Sequence, residues 1–161
     1  MMTTSTATRT AKPTTTTVHA TWRSGQAFDV QGSAGAPIVI DGAKQAGSGP
    51  VDTLLGAFAA CSAVDVIEYL EKRRTPARRC EVVVTAERRA EPPRRVLRAR
   101  LEFRIDGEGI DATHAERAIA VSLERYCSVA ASLARDLAVT TVLVLNGAAG
   151  AECARRIPDV R

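Results

Sequence analysis

Apolar residues Val18, Ala20 and Trp22 alternate with polar His19, Thr21 and Arg23, the period-two pattern of a strand with one buried face. Ser24-Gly25-Gln26 supplies a turn, and Ala27 to Gln31 and Pro37 to Asp41 read as two further strands separated by Gly32 to Gly35. Together they predict a small antiparallel sheet. Cys80 to Glu87 alternates again, as do Leu97, Ala99, Leu101, Phe103 and Ile105 against Arg98, Arg100, Glu102 and Arg104. These two strands are expected to pair through the loop Arg88 to Val96, whose Pro92-Pro93 cannot continue a ladder. Ala138 to Leu145 predicts a last strand.

Between these groups lie two helical patterns. Pro50 suits a first helical position, where its missing N–H costs nothing, and Asp52 falls in the first turn, where negative charge favours the helix dipole. The spacing predicts a helix from Pro50 to about Arg74, with Glu68, Glu71, Lys72, Arg73 and Arg74 at its polar end and Thr75-Pro76 as the stop. Its middle, Leu54 to Ile67, is apolar on nearly every side, so it is expected to be buried all round. Thr113 and Glu116 have capping-box spacing and open a second helix whose face carries Ile119, Leu123, Tyr126 and Cys127.

The order is three strands, a buried helix, two strands, a second helix and a strand. This is an α+β fold with a mainly antiparallel sheet around a buried central helix. One small sheet covers only one side of such a helix, so a homodimer enclosing both central helices is expected. Residues 1–17, Thr-rich and polar, read as a disordered tail, 18–146 as one domain, and 147–161 as a C-terminal tail.

Composition narrows the function. At 161 residues the chain is long enough to bury roughly 70% of its unfolded surface without disulfides. Aromatic residues make up only 4%, leaving little material for base stacking, and a net charge of +4 is modest for a nucleic-acid binder. The arginines at 88, 89, 94, 95, 98, 100 and 104 read as a solvated sheet face, with an anion or partner surface as the other reading. Nucleic acid is not the expected partner. The N-terminus has no apolar signal segment, and no stretch holds about 18 consecutive apolar residues. A cytoplasmic protein with reduced thiols and no membrane partner is expected. Gly42 to Gly49 lacks the spacing of a phosphate loop and reads as a flexible connector.

The candidate chemistry centres on cysteine. Cys61 lies deep in the central helix with Asp65 one turn later. A free cysteine there is ordinarily an inert small hydrophobe. Cys127 on the second helix adds the option of a reversible disulfide, if the two Cα atoms come within about 7 Å. A charged Asp65 would raise the thiol pKa, so it is expected to pair with an arginine or a backbone group. Asp52 is nine residues from Cys61, roughly 13 Å along an unbroken helix and on its opposite face. It is therefore expected to serve the partner chain's thiol, if any. Cys80 and Cys153 share no Cys-x-x-Cys spacing with the others, so no metal is expected. His19 and His114 read as solvated or capping residues.

Pro50 with Asp52-Thr53-Leu54-Leu55, then Ala59-Ala60-Cys61-Ser62-Ala63-Val64-Asp65-Val66, and later Tyr126-Cys127-Ser128-Val129-Ala130 resemble the two cysteine motifs of the OsmC and organic hydroperoxide resistance superfamily. The likeness runs from about Val18 to Asn146. It implies an OsmC-like fold, an intertwined homodimer and thiol peroxidase chemistry at the interface. By this likeness Cys61 is the peroxidatic thiol that attacks an organic hydroperoxide and passes through a sulfenic acid. Cys127 resolves it as a disulfide, which dihydrolipoamide or a thioredoxin-like protein reduces. No bound cofactor is implied. Hydroperoxide resistance proteins carry a glutamate directly after the proline, where this chain has Val51 followed by Asp52, as in the OsmC-like branch. They also place an activating arginine in the early strand and loop region, where Arg23 is the nearest substitute. A different class of function remains beside this one: a non-catalytic dimer binding a hydrophobic small molecule or a partner in the interface pocket.

Overall fold

The structure, a computed structural model, describes residues 14–158. The expected N-terminal tail lies mostly outside the described residues, and residues 14–17 carry neither helix nor strand. The described residues form two compact units, divided between Pro50 and Val51.

In the first unit, β1 (His19–Ser24), β2 (Ala27–Gln31) and β3 (Ile38–Asp41) form an antiparallel sheet in that order. Trp22 stands opposite Phe28, and Phe28 opposite Ile40, so the period-two pattern lines up one apolar face. The expected burial of the β1 face is not met, because Trp22 is 64% exposed. The glycine-rich stretch after β3 is an ordered loop and not a flexible connector. Asp41, only 4% exposed, accepts hydrogen bonds from the backbone N–H groups of Ala43 (2.9 Å), Gln45 (3.0 Å) and Ala46 (2.9 Å). Gly47 is required there, since a Cβ would fall 2.2 Å from the Val39 carbonyl oxygen.

In the second unit the central helix α1 (Pro50–Lys72) runs unbroken. Its C-terminus is a Schellman motif: Thr75 N–H bonds the Leu70 carbonyl and Arg74 N–H that of Glu71, with Arg74 left-handed at φ 62°. By length and composition α1 would suffice to cross a bilayer, a test that core helices of soluble folds also pass. Here Phe58, Ser62, Val66 and Leu70, spaced four apart, form a buried stripe. The all-round burial expected of α1 is thus not found within one chain, and Val64 remains 54% exposed. Buried Ser62 satisfies its hydroxyl on the Phe58 and Ala59 carbonyls, both at 3.0 Å.

The larger sheet runs β4 (Arg79–Arg88), β5 (Val96–Asp106), β6 (Ala138–Leu145), with β7 (Ala148–Ala149) and β8 (Cys153–Arg155) both pairing β6. It is antiparallel apart from β5 and β6, which run parallel. That parallel pair requires a long crossover. The crossover consists of α2 (Ala112–Val121), a π-helical turn (Ser122–Tyr126) and α3 (Ser128–Ser132). The segment after Asn146, expected as a tail, returns along β6 instead, and Arg155 of β8 bonds Thr141 and Glu116.

The alternation in β5 sorts its residues as expected. Leu101, Phe103 and Ile105 join Phe58, Val66, Leu70, Ile119 and Leu143 in one core. On the other face Glu102 bridges Arg100 (2.9 Å) and Arg104 (2.8 Å), Arg98 meets Glu87 and Arg95 meets Asp136. Most of the hairpin arginines are thus neutralised by carboxylates, as on a solvated charged face. Each exposed pair adds little stability.

Two outcomes test this packing. Phe103→Ala is expected to cost about 3–5 kcal/mol in denaturant unfolding, the range for emptying a large aromatic site in a core. Hydrogen bonds from Ala46, then Ala43, hold the Asp41 carboxyl below the usual range. Its stabilisation is therefore full above the unfolded carboxylate pKa of about 3.9 and lost as pH falls through the lower folded value. Asp41→Ala lowers thermal stability at neutral pH, and the gap from the native protein narrows in strong acid.

Candidate active site

Cys61 sits on the flank of the α1 buried stripe, half-buried, one turn after Phe58. Cys127 reaches it by an unexpected route. The crossover helix starts at Asp111, whose carboxylate accepts from His114 N–H at 3.1 Å, and not at the Thr113 capping box. At Ser122 the backbone widens into a π-helical turn, closed by Cys127 N–H on the Ser122 carbonyl at 2.8 Å. The extra residue per turn alters which side chains face inward. Tyr126 therefore leaves the face that carries Ile119 and Leu123 and is exposed, whereas Cys127, although past the helix, is buried in the same core as those two.

Cys127 itself has extended backbone and caps α3, its Sγ accepting from Ala130 N–H at 3.4 Å. Burial pushes this thiol up to about 12; the Ala130 N–H pulls the other way, and the neighbouring Cys61 thiol adds to the rise. Cys127 accordingly keeps its proton at neutral pH.

One polar contact sets this meeting. Ser122 Oγ donates to Asp65 Oδ2 at 2.7 Å and lies 3.3 Å from the Ser62 carbonyl oxygen. The partner of Asp65 is thus a hydroxyl, not the arginine or backbone group expected. From that contact, four residues back along α1 leads to Cys61, and five residues on through the π turn leads to Cys127. The two segments run antiparallel past each other, so the cysteines meet one turn away from the Asp65–Ser122 bond. Sequence reasoning missed Ser122, because a π turn leaves no periodic signature.

The other two candidates are elsewhere. Asp52 lies in the first turn of α1, where it borders a cleft with Gly56, Ala59, Val82 and Val84. With α1 unbroken, nine residues separate it from Cys61 on another face. Arg23, in the first unit, pairs with Asp29 across β1 and β2 at 2.8 Å. Burial raises the Cys80 thiol. Among the described residues no group of three His, Cys, Asp or Glu side chains could hold a metal ion.

Beside the start of α1 is an apolar cavity of about 180 Å³, lined by Val51, Leu55, Phe58, Val96, Leu133 and Leu137, with Arg94 and Arg95 also on its wall. Phe58 places it one helical turn from Cys61.

Known proteins agree with this architecture. The family profile described as OsmC-like protein matches residues 42–142. Protein YhfA of Escherichia coli K12 is 35% identical over 120 residues, 74% of this chain and 90% of its own length. Among solved structures, an OsmC-like protein from Mycoplasma pneumoniae shares the fold at TM-score 0.71 and 16% identity, covering 83% of this chain and 99% of that one. The organic hydroperoxide resistance protein OhrB of Bacillus subtilis does so at TM-score 0.55 and 15% identity, covering 81% and 98%. With the profile spanning more than half of its length, from the loop after β3 into β6, the chain belongs to the OsmC-like protein family.

Proposed function

We propose that this protein is a thiol peroxidase for organic hydroperoxides. The observation that carries the reading is the pairing of Cys61 with a buried, protonated Cys127, beside an apolar cavity suited to an alkyl group. The Cys61 thiolate attacks the distal peroxide oxygen. The O–O bond breaks, an S–O bond forms, and the alkoxide leaves and takes up a proton as the alcohol. Cys127 sulfur then attacks the Cys61 sulfenic acid; the S–S bond forms, and hydroxide departs with the Cys127 proton as water. An external dithiol, either dihydrolipoamide or a thioredoxin-like protein, returns two electrons and two protons. No bound cofactor enters these steps, and the working place is the reducing cytoplasm.

The active form proposed is a homodimer. Ala57, Ala60 and Val64 line an uncovered side of α1, and small residues there allow close approach of a second copy. In this reading Asp52 serves the partner chain's thiol, and Arg23 is the nearest substitute for an activating arginine. The second reading, a dimer that binds an apolar molecule without turnover, draws on Arg23, whose guanidinium is engaged by Asp29.

Cumene hydroperoxide and dihydrolipoamide are expected to be consumed in equal amounts by the native protein, with activity abolished in Cys61→Ser. Equal turnover by both proteins would refute the peroxidase. In the reduced protein at pH 8, a small alkylating agent is expected to label Cys61 and spare Cys127. Cys61→Ser removes one cause of the Cys127 rise, so labelling of Cys127 should begin at lower pH. Light scattering is expected to give the mass of two chains, and Val64→Arg that of one.

A further inference from the structure

The apolar cavity at the start of α1 carries one charge that the fold does not use. Around the hairpin, Arg95 holds Asp136 through both guanidinium nitrogens, and Arg98, Arg100 and Arg104 each meet a glutamate. Arg94 differs. Its Nε donates to the Ala90 carbonyl at 3.0 Å, and no ion pair engages it among the described residues. Its backbone is fixed as well: Arg88 Nε holds the Arg94 carbonyl at 2.9 Å, and Arg95 N–H bonds Pro93 at 2.8 Å. With Nε committed, the two terminal nitrogens remain as an end-on fork, the geometry that receives a carboxylate through two parallel bonds.

The rest of the cavity beside Arg94 is largely hydrocarbon. Phe58 and Leu137 are buried, and Val51, Leu55, Val96 and Leu133 complete the lining. Of the carboxylates on neighbouring loop segments, Asp136 is engaged by Arg95 and Glu91 by Arg89. The site is therefore apolar inside with an uncompensated cation at its wall, complementary to a molecule with an aliphatic tail and an anionic head.

We infer that this cavity binds an aliphatic monocarboxylate, its chain against Phe58 and Leu137 and its carboxylate on the terminal nitrogens of Arg94. The inference goes beyond the peroxidase reading and needs no redox step: binding to the reduced protein and peroxide turnover are separate measurements, so either can fail alone. The site makes Arg94 a specificity-determining residue, favouring anionic over neutral molecules of equal chain length.

Isothermal titration of the reduced full chain with octanoate, 1-octanol and acetate tests this. Octanoate is expected to bind about tenfold tighter than 1-octanol, the share of one exposed charge-assisted contact. Its affinity should weaken with added salt, and acetate, lacking a tail, should give no saturable heat. Arg94→Gln, a surface change that leaves the core intact, is expected to erase the preference for octanoate while retaining octanol binding. Leu55→Trp, which fills the cavity, should remove both. Equal affinity for octanoate and octanol, saturable acetate binding, absence of octanoate binding, or an unchanged preference in Arg94→Gln would each overturn the assignment.

Discussion

The hydrogen bond from Ser122 to Asp65 is the contact on which the candidate site depends. A carboxylate on an apolar helix loses hydration as its neighbours pack, and it stays there only if a donor replaces water. Ser122 supplies that donor from the first residue of the π turn, and its oxygen also approaches the Ser62 carbonyl on α1. The two helical segments are thereby locked in one register. Moving either by a residue would strand the carboxylate and separate Cys61 from Cys127.

The two thiols occupy different surroundings because of that register. Cys127 is enclosed by the core and meets the free N–H groups at the start of α3, which favour its thiolate, while burial opposes it more strongly. Cys61, on the flank of the α1 stripe, is only half-buried. A pair made of one enclosed, protonated thiol and one more open thiol has an inherent direction, with the open member facing incoming molecules.

Charge is distributed with similar economy. The β4–β5 hairpin looks strongly basic when read as sequence, yet its glutamates stand across the strands from its arginines and cancel most of the field. What remains is local: Arg88 and Arg94 bond backbone carbonyls rather than carboxylates, and Arg94 stands at the wall of an apolar cavity. Meanwhile the unmatched surface of this chain is apolar, on the outer side of α1 and on the Trp22–Phe28 face of the first sheet. Surface of this kind is more costly in water than the charged ladder.

Read alone, the sequence determined strands β1 to β6, the limits of α1 to within two residues, the inward residues of β5 and the family motifs, because each follows from local periodicity or from side chains adjacent in the chain. It also singled out Cys61 and Cys127. Only the tertiary structure decided how they meet. The π turn after Ala112–Val121 depends on Asp65 receiving a hydroxyl from a residue 57 positions away, and no periodic pattern records such a bond. The same holds for Asp41, where a buried carboxylate orders a glycine-rich loop through backbone N–H groups that any sequence would offer. The return of β7 and β8 along β6 is likewise long-range, set by an open strand edge and by Arg155 finding Glu116 across the fold. Local pattern selects elements; partners distant in sequence select the register and the exposure of the groups that do chemistry.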